Sequence, residues 1–386
     1  MKVLILHHND KNQLSLMEST CEHLNNFGIH TNRIEFITYN FDSPKGDSTP
    51  WACKVFHFFE KIPKLRVVSR KIFRKKIVYF YSHIIKGYDI LELQSTFRKE
   101  FADIVENAQK YGLKVKTVIW GSDLNWETKE QRPWKERIYK NSDVIQLGPV
   151  RNQNKDVFIE KYPEFAYKIR RAPFGRDQFD VLNKMLDGTS QTDDSFLSAQ
   201  AKGKLMVTCG YNGREMQQHL LMLDAIDKLP QELKQKIFLF LPMTYLLKDE
   251  YYTQVHKKLE DMGIPYQIQR ERLTLEQNLT MRMKTDIVVN IQKTDGLAAS
   301  LQEHLYCGNV LIAGEWLPYS IFSDNNVFYL KTSLDNLCCN IKDVIQHFSD
   351  YKQKCINNRE NLYKITSWKA VLPKWKEIYD DMLTSL

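Results

Sequence analysis

A chain of 386 residues is about two to three times the usual domain length, and with 43% hydrophobic and 26% charged residues its composition is that of a globular protein with more than one core. Its 20 Phe, 19 Tyr and 7 Trp exclude a disordered polymer, and no apolar run reaches the roughly 20 residues that a membrane-spanning helix needs. The formal net charge of +8 is unevenly spread, so its meaning depends on where the excess falls.

In chain order, Lys2-Val3-Leu4-Ile5-Leu6 predicts a strand that runs into the polar His7-His8-Asn9-Asp10, a pattern unlike a secretory signal. Leu14, Met17, Cys21 and Leu24 then mark one face of a helix stopped at Phe27-Gly28. A strand at 88–93, a helix at 97–110, the stop Tyr111-Gly112 and a strand at 115–120 repeat the theme, with further short strands at 143–147 and 167–172. From Asp187 to Gln200 the chain is polar and nearly free of large apolar residues, which places a linker there. The alternation then restarts: strand 205–209, helix 214–228, strand 237–241, helix 247–262, strand 264–268, helix 274–283, strand 286–291, helix 298–306 and strand 310–313. Strands alternating with helices imply parallel sheets, and two such halves predict an α/β protein of two Rossmann-like domains facing across a ligand cleft. The last stretch, 333–386, reads as helices in which Trp368, Trp375 and Tyr379 form a core-facing stripe or brace the first domain. The seven Cys, at 21, 53, 209, 307, 338, 339 and 355, include no C-x-x-C pair and no neighbouring His at metal spacing; they read as small buried residues of a reducing cytoplasm.

The chemistry concentrates in the second half. A loop bearing Asp295 and Gly296 leads through Leu297 and Ala298 into a helix carrying Ser300 and Glu303, stopped by Gly308 before a strand. Two helical turns span about 11 Å, so the two acids address separated parts of one extended ligand, while the helix amino end between them favours anionic oxygens. That suits a nucleotide diphosphate bonded to a sugar; the alternative is two solvated charges on a helix face. Upstream, Gly210-Tyr211-Asn212-Gly213-Arg214 follows a strand and opens a helix, where glycines permit close approach to phosphate and Arg214 offers a paired contact or simply a helix-start cation.

These motifs resemble the GT-B glycosyltransferases, in particular the retaining family 4 with its acid-x7-acid pattern, and the Gly-Tyr-Asn-Gly, Gln217-Gln218-His219 and Leu241-Pro242-Met243-Thr244-Tyr245 stretches resemble bacterial surface-polysaccharide transferases, including the aminodeoxyfucose-type transferases of enterobacterial antigen synthesis. The resemblance implies that Glu303 binds the ribose hydroxyls, that Asp295 and Arg214 are the catalytic residues beside the sugar and the diphosphate, and that Gly210, Asn212, Gly213, Thr244, Tyr245, Gly296, Leu297, Ala298 and Ser300 complete the donor site. Asp295 stands where the family usually has Glu, and His219 where it usually has Lys. On the acceptor side it implies His7, His8, Gln94 and the Trp120-Gly121-Ser122-Asp123 turn, all at strand ends; a plain capping turn is the alternative for Asp123. The implied domains are 1–180 on the acceptor side, a linker at 181–203, the nucleotide-sugar domain at 204–365 and a bracing helix at 366–386.

Between residues 51 and 81, Lys54, Lys61, Lys64, Arg66, Arg70, Lys71, Arg74, Lys75 and Lys76 interleave with Trp51, Phe56, Phe58, Phe59, Ile72, Phe73, Tyr79, Phe80 and Tyr81. This reads either as a surface for anionic lipid or as a solvated helix face above a core stripe, and no recognition motif points to nucleic acid. The expectation is a metal-independent glycosyltransferase without cofactor, carrying sugar from a nucleotide-sugar donor to a surface glycan or lipid-linked acceptor at the cytoplasmic membrane face. The alternatives are a nucleotide-sugar epimerase or hydrolase of the same fold and a catalytically silent glycan-binding relative.

Overall fold

The computed structural model describes residues 1–8, 11–36, 63–147 and 153–384. The chain divides into two compact units, Met1–Phe174 with Val371–Leu386, and Gly175–Ala370. In the first, strands β1 (Lys2–His8), β2 (His30–Phe36), β3 (Ile90–Gln94), β4 (Lys114–Ile119), β5 (Val144–Leu147) and β6 (Ile169–Arg171) form a parallel sheet in the order β2-β1-β3-β4-β5-β6. Helices cover both faces, so strands such as Val3–Leu6 are apolar throughout rather than alternating. The strand order reverses between β1 and β3, and His7 lies in register with Gln94 there.

The second unit holds β7 (Leu205–Cys209), β8 (Ile237–Pro242), β9 (Tyr266–Gln269), β10 (Ile287–Asn290), β11 (Val310–Gly314) and β12 (Leu330–Thr332), parallel in the order β12-β11-β10-β7-β8-β9. Read from the other edge this is the doubly wound arrangement, with its reversal between β7 and β10. Its core joins Val207, Leu239, Ile287 and Ile312 of the sheet to Leu223, Val255 and Ile341 of the helices.

Three departures from the sequence reading have local causes. The helix expected over 214–228 is interrupted: a short 3-10 turn, Glu215–Gln217, is followed by Gln218 at φ 63° and only then by the α-helix His219–Asp227. The Gln218 side chain donates to the Ile291 carbonyl, which holds that left-handed residue in place. The polar stretch 187–200 lies inside the second unit, because the preceding helix Gln178–Leu186 buries Phe179, Leu182 and Met185 there and Phe179 stacks on Tyr306 at 4.0 Å. The strand β2 has mixed exposure and no clean alternation, which hid it from periodicity.

The helix Trp368–Thr384 completes the first unit from Val371 onward. Trp375 donates to the Pro173 carbonyl at 2.7 Å. Below it Lys116 and Glu92 form a wholly buried ion pair at 2.8 Å, with the Lys116 ammonium 3.9 Å from the Trp375 ring centre and 4.2 Å from that of Tyr379, whose hydroxyl donates to Glu92.

Candidate functional site

At the end of β7 the chain turns through Gly210 at φ 67°, where an added β-carbon would lie 2.9 Å from Gln217 Oε1 and 3.0 Å from His219 Nε2. The Tyr211 amide donates to Gln217 Oε1 at 3.1 Å, the Gly213 amide to the Tyr245 carbonyl at 2.9 Å, and the Arg214 amide to Asn212 Oδ1 at 3.0 Å. Gly213 is pressed so closely on Leu247 that a β-carbon would come within 2.6 Å of it. The Arg214 guanidinium lies 5.8 Å from the centre of the Tyr245 ring, so the turn after β7 and the loop after β8 meet, with Thr244 half-buried beside them. Because of the interruption at Gln218, Arg214 precedes a 3-10 turn rather than opening the α-helix. His219, at the helix start, is wholly buried with Nδ1 beside the Tyr251 hydroxyl, and burial lowers its pKa to about 4. It is therefore a neutral imidazole at neutral pH.

The loop after β10 is organised around Asp295. Its carboxylate accepts from the Tyr211 hydroxyl at 3.0 Å, the Tyr319 hydroxyl, the Gly296 amide at 2.9 Å and the Ala298 amide at 3.1 Å. Burial, reinforced by the Asp295 charge, raises the pKa of both tyrosines, so they stay protonated as donors. Leu297 sits at φ 66°, and the helix Ala299–Tyr306 begins just beyond it without a side-chain cap. Gln292 ties the arrangement to its neighbours, taking Gln217 Nε2 at 2.7 Å while its carbonyl receives Trp316 Nε1 at 2.9 Å. Side chains from the carboxyl ends of β7, β10 and β11, three adjacent strands at the reversal of strand order, thereby converge on one carboxylate.

Glu303, just over one turn into that helix, is buried and accepts from Arg282 Nε at 3.2 Å. Arg282 also reaches His304 Nε2 at 3.2 Å, and His304 is held neutral by burial and by the Arg282 charge. The Glu303 charge also acts on Arg176, opposing the burial that lowers that guanidinium's pKa. The two acids of the motif are thus neither solvated nor equivalent: one is ringed by hydroxyls and amides, the other by guanidinium groups.

In the first unit, His7 is buried at the end of β1, and Gln94 donates to Glu92 at 2.5 Å and accepts from Trp120 Nε1 at 3.0 Å. Asp123 is wholly buried and takes the amides of Thr96, Trp120 and Gly121 at 3.1, 2.9 and 3.0 Å. Burial raises its pKa against the pull of Lys135 and those amides. In this geometry Asp123 is the cap of a turn at Gly121 (φ 97°), and Ser122 opens the short helix Ser122–Asn125. The side chain of His8 and residues 51–62 lie outside the described part of the structure.

Tyr211, Tyr319, Gln292, Arg282 and Trp316 were not legible as site residues. Tyr211 adjoins the glycine turn and could have been suspected, but nothing in spacing connects Tyr319 or Arg282 to the motif. A cavity of about 940 Å³ in the second unit lies elsewhere: it runs from Tyr306 and Gly308 to Lys352, Arg359 and Tyr363, and none of the expected site residues lines it. Among the described residues no three His, Cys, Asp or Glu side chains gather as a metal-binding group, and no helix is long and apolar enough to cross a membrane.

No family model matches the chain, and no curated protein matches it by sequence. Solved structures match it throughout. HepE of Anabaena in complex with UDP shares 10% identity at a TM-score of 0.68 over 99% of this chain and 100% of its own. A glycosyltransferase from Rickettsia africae shares 13% identity at 0.67 over 100% and 99%. A UDP-forming trehalose-phosphate synthase from Burkholderia xenovorans shares 10% at 0.71 over the whole of both chains. Two six-stranded parallel sheets with flanking helices, matched over their full length by these structures, have the two-domain GT-B fold.

Proposed function

We propose that the protein is a glycosyltransferase that binds a nucleoside diphosphate sugar on its second domain. The observation that carries this reading is the convergence of the glycine turn bearing Arg214, the Asp295 loop and the uncapped amino end of the helix leading to Glu303, all at the point of strand-order reversal where doubly wound sheets bind ligands. In this reading Glu303, its charge oriented by Arg282, takes the ribose hydroxyls. Arg214 and the amides beginning the helix Ala299–Tyr306 stabilise the departing diphosphate, an electrostatic role that needs no metal ion. Gly210, Asn212, Gly213, Thr244 and Tyr245, together with Gly296, Leu297, Ala298 and Ser300 of the Asp295 loop and helix start, line the diphosphate. UDP and UDP-glucose are the first donors to examine, because HepE is known with both.

The acceptor we assign is a surface glycan or lipid-linked saccharide, with retention of anomeric configuration. His7, Gln94 and Ser122 mark its side of the first domain, and the exposed face of the helix Pro63–Ile84 provides contact with the cytoplasmic membrane surface. Support for the membrane contact comes from Ile72, Tyr79 and Phe80, which are 52%, 73% and 55% exposed and share a helical stripe with the exposed Lys75 and Lys76. Thermal shift and calorimetry against a panel of nucleotides and nucleotide sugars test the donor reading. One nucleoside diphosphate and its sugar conjugates should raise the melting temperature, and Glu303→Gln should remove most of that rise. A protein indifferent to the whole panel is not a nucleotide-sugar enzyme.

A further inference from the structure

Asp295 has its hydrogen-bonding capacity filled from within the protein. A carboxylate offers about four lone-pair directions, and here Oδ1 takes the Tyr211 hydroxyl and the Gly296 amide while Oδ2 takes the Tyr319 hydroxyl and the Ala298 amide. The tyrosines are themselves held. Tyr319 is buried and its oxygen receives Asn290 Nδ2 at 2.8 Å, which leaves its own proton for Asp295. The Tyr211 oxygen receives Gln292 Nε2 at 3.0 Å; its proton faces both Asp295 and Gln292 Oε1, at 3.1 Å, and the charged acceptor forms the stronger bond. Within the loop so gripped, Leu297 is buried at φ 66°, a strained conformation for a residue with a β-carbon that persists only where its surroundings impose it.

We infer that Asp295 does not bind the donor sugar but is a positioning residue, which with Tyr211 and Tyr319 locks the loop 293–298 so that its backbone and the following helix start face the diphosphate. The inference rests on the donor-site reading above. A sugar hydroxyl reaching Asp295 would have to displace one of four donors already in place. The alternative, direct contact, predicts a loss confined to the sugar.

The two are separated with the full-length protein by calorimetry, using a nucleoside diphosphate and its sugar conjugate, UDP and UDP-glucose being the first pair. Asp295→Asn, Tyr211→Phe and Tyr319→Phe should each weaken both ligands by the same factor, about ten-fold on the scale of one charge-assisted hydrogen bond. The Asp295→Asn/Tyr211→Phe double variant should be little worse than Asp295→Asn alone, and hydrogen exchange of the 293–298 amides should rise in all three single variants. Asp295→Asn that weakens only the sugar conjugate, with tyrosine variants indistinguishable from wild type, overturns the inference and establishes direct contact. Tyr319→Phe leaves the Asn290 amide without its acceptor; should that variant not fold, Tyr211→Phe, at a half-buried position, decides the matter alone. Wild-type protein that binds no pair defeats the donor reading and this inference together, whereas binding with unequal losses defeats the inference only.

Discussion

Glu303 and Arg282 lie buried side by side, each less than a tenth exposed, so removing one leaves the other's charge without its counter-charge. Glu303→Ala should therefore cost about 3–5 kcal/mol of folding stability in addition to nucleotide affinity, read from urea titration, whereas Glu303→Gln should cost less because it can still accept from Arg282. An unchanged urea midpoint in the alanine variant would show that the pair does not hold this part of the fold. The glycine turn offers a second test. Gly210→Ala combines a left-handed φ with β-carbon contacts at 2.9 and 3.0 Å, and Gly213→Ala drives a β-carbon to 2.6 Å from Leu247. Each should lose about 1–3 kcal/mol, the range of left-handed strain and of overpacking. The turn was legible as glycine-rich; the reason each glycine is needed became visible only when Gln217, His219 and Leu247 were seen packed against it.

For the element from Pro63 to Ile84, the structure divides the cations that composition had grouped together. Arg74 points back to Asp103 at 2.9 Å and Glu100 at 3.7 Å, so it fastens the helix to the one beginning at Glu100 and is not part of a lipid-facing surface. Lys75 and Lys76 are exposed beside Ile72, Tyr79 and Phe80. Each such cation near an anionic surface is worth about 1 kcal/mol and is screened within a Debye length, so docking should be reversible and sensitive to salt. Lys75→Gln with Lys76→Gln should reduce sedimentation with phosphatidylserine vesicles at low salt while leaving nucleotide binding intact. Arg74→Gln should instead lower the melting temperature. Undiminished sedimentation of the double variant would remove this face from membrane contact.

At the scale of the whole molecule, the buried imidazoles make stability depend on pH. His219 has a pKa of about 4 in the folded state against an ordinary value of 6.5, so between these values the unfolded chain binds a proton that the folded chain does not. Stability is then complete above about pH 6.5 and falls as pH drops towards 4, by roughly 3 kcal/mol from this residue alone, and His304, whose pKa burial and the Arg282 charge also lower, acts in the same direction. Urea midpoints at pH 7, 5.5 and 4.5 should decline, and His219→Gln should flatten the decline; a slope unaltered by that substitution would place the acid sensitivity elsewhere. The chain's last helix carries a separate consequence. Because Trp375 and Tyr379 complete the cover over the buried Lys116–Glu92 pair, truncation after Ala370 should uncover that pair and destabilise the first unit, seen as lost hydrogen-exchange protection in β3 and β4.

What the sequence determined by itself was the repeating strand-helix grammar, the two halves and the acid-bearing loop ahead of Glu303, because periodicity and turn residues are local properties carried by neighbouring residues. Tertiary structure alone decided how those residues are used. Asp295 became the acceptor of four donors only when Tyr211, distant in sequence, and Tyr319 were brought beside it by adjacent strands, and Glu303 became one member of a buried pair only when a neighbouring helix supplied Arg282. The interruption at Gln218 has the same origin: local propensity favours an unbroken helix, and a hydrogen bond to Ile291, just past the end of β10, overrides it. Side-chain chemistry is written in the sequence; which hydrogen-bonding capacity remains free for a ligand depends on partners that only the folded chain brings together.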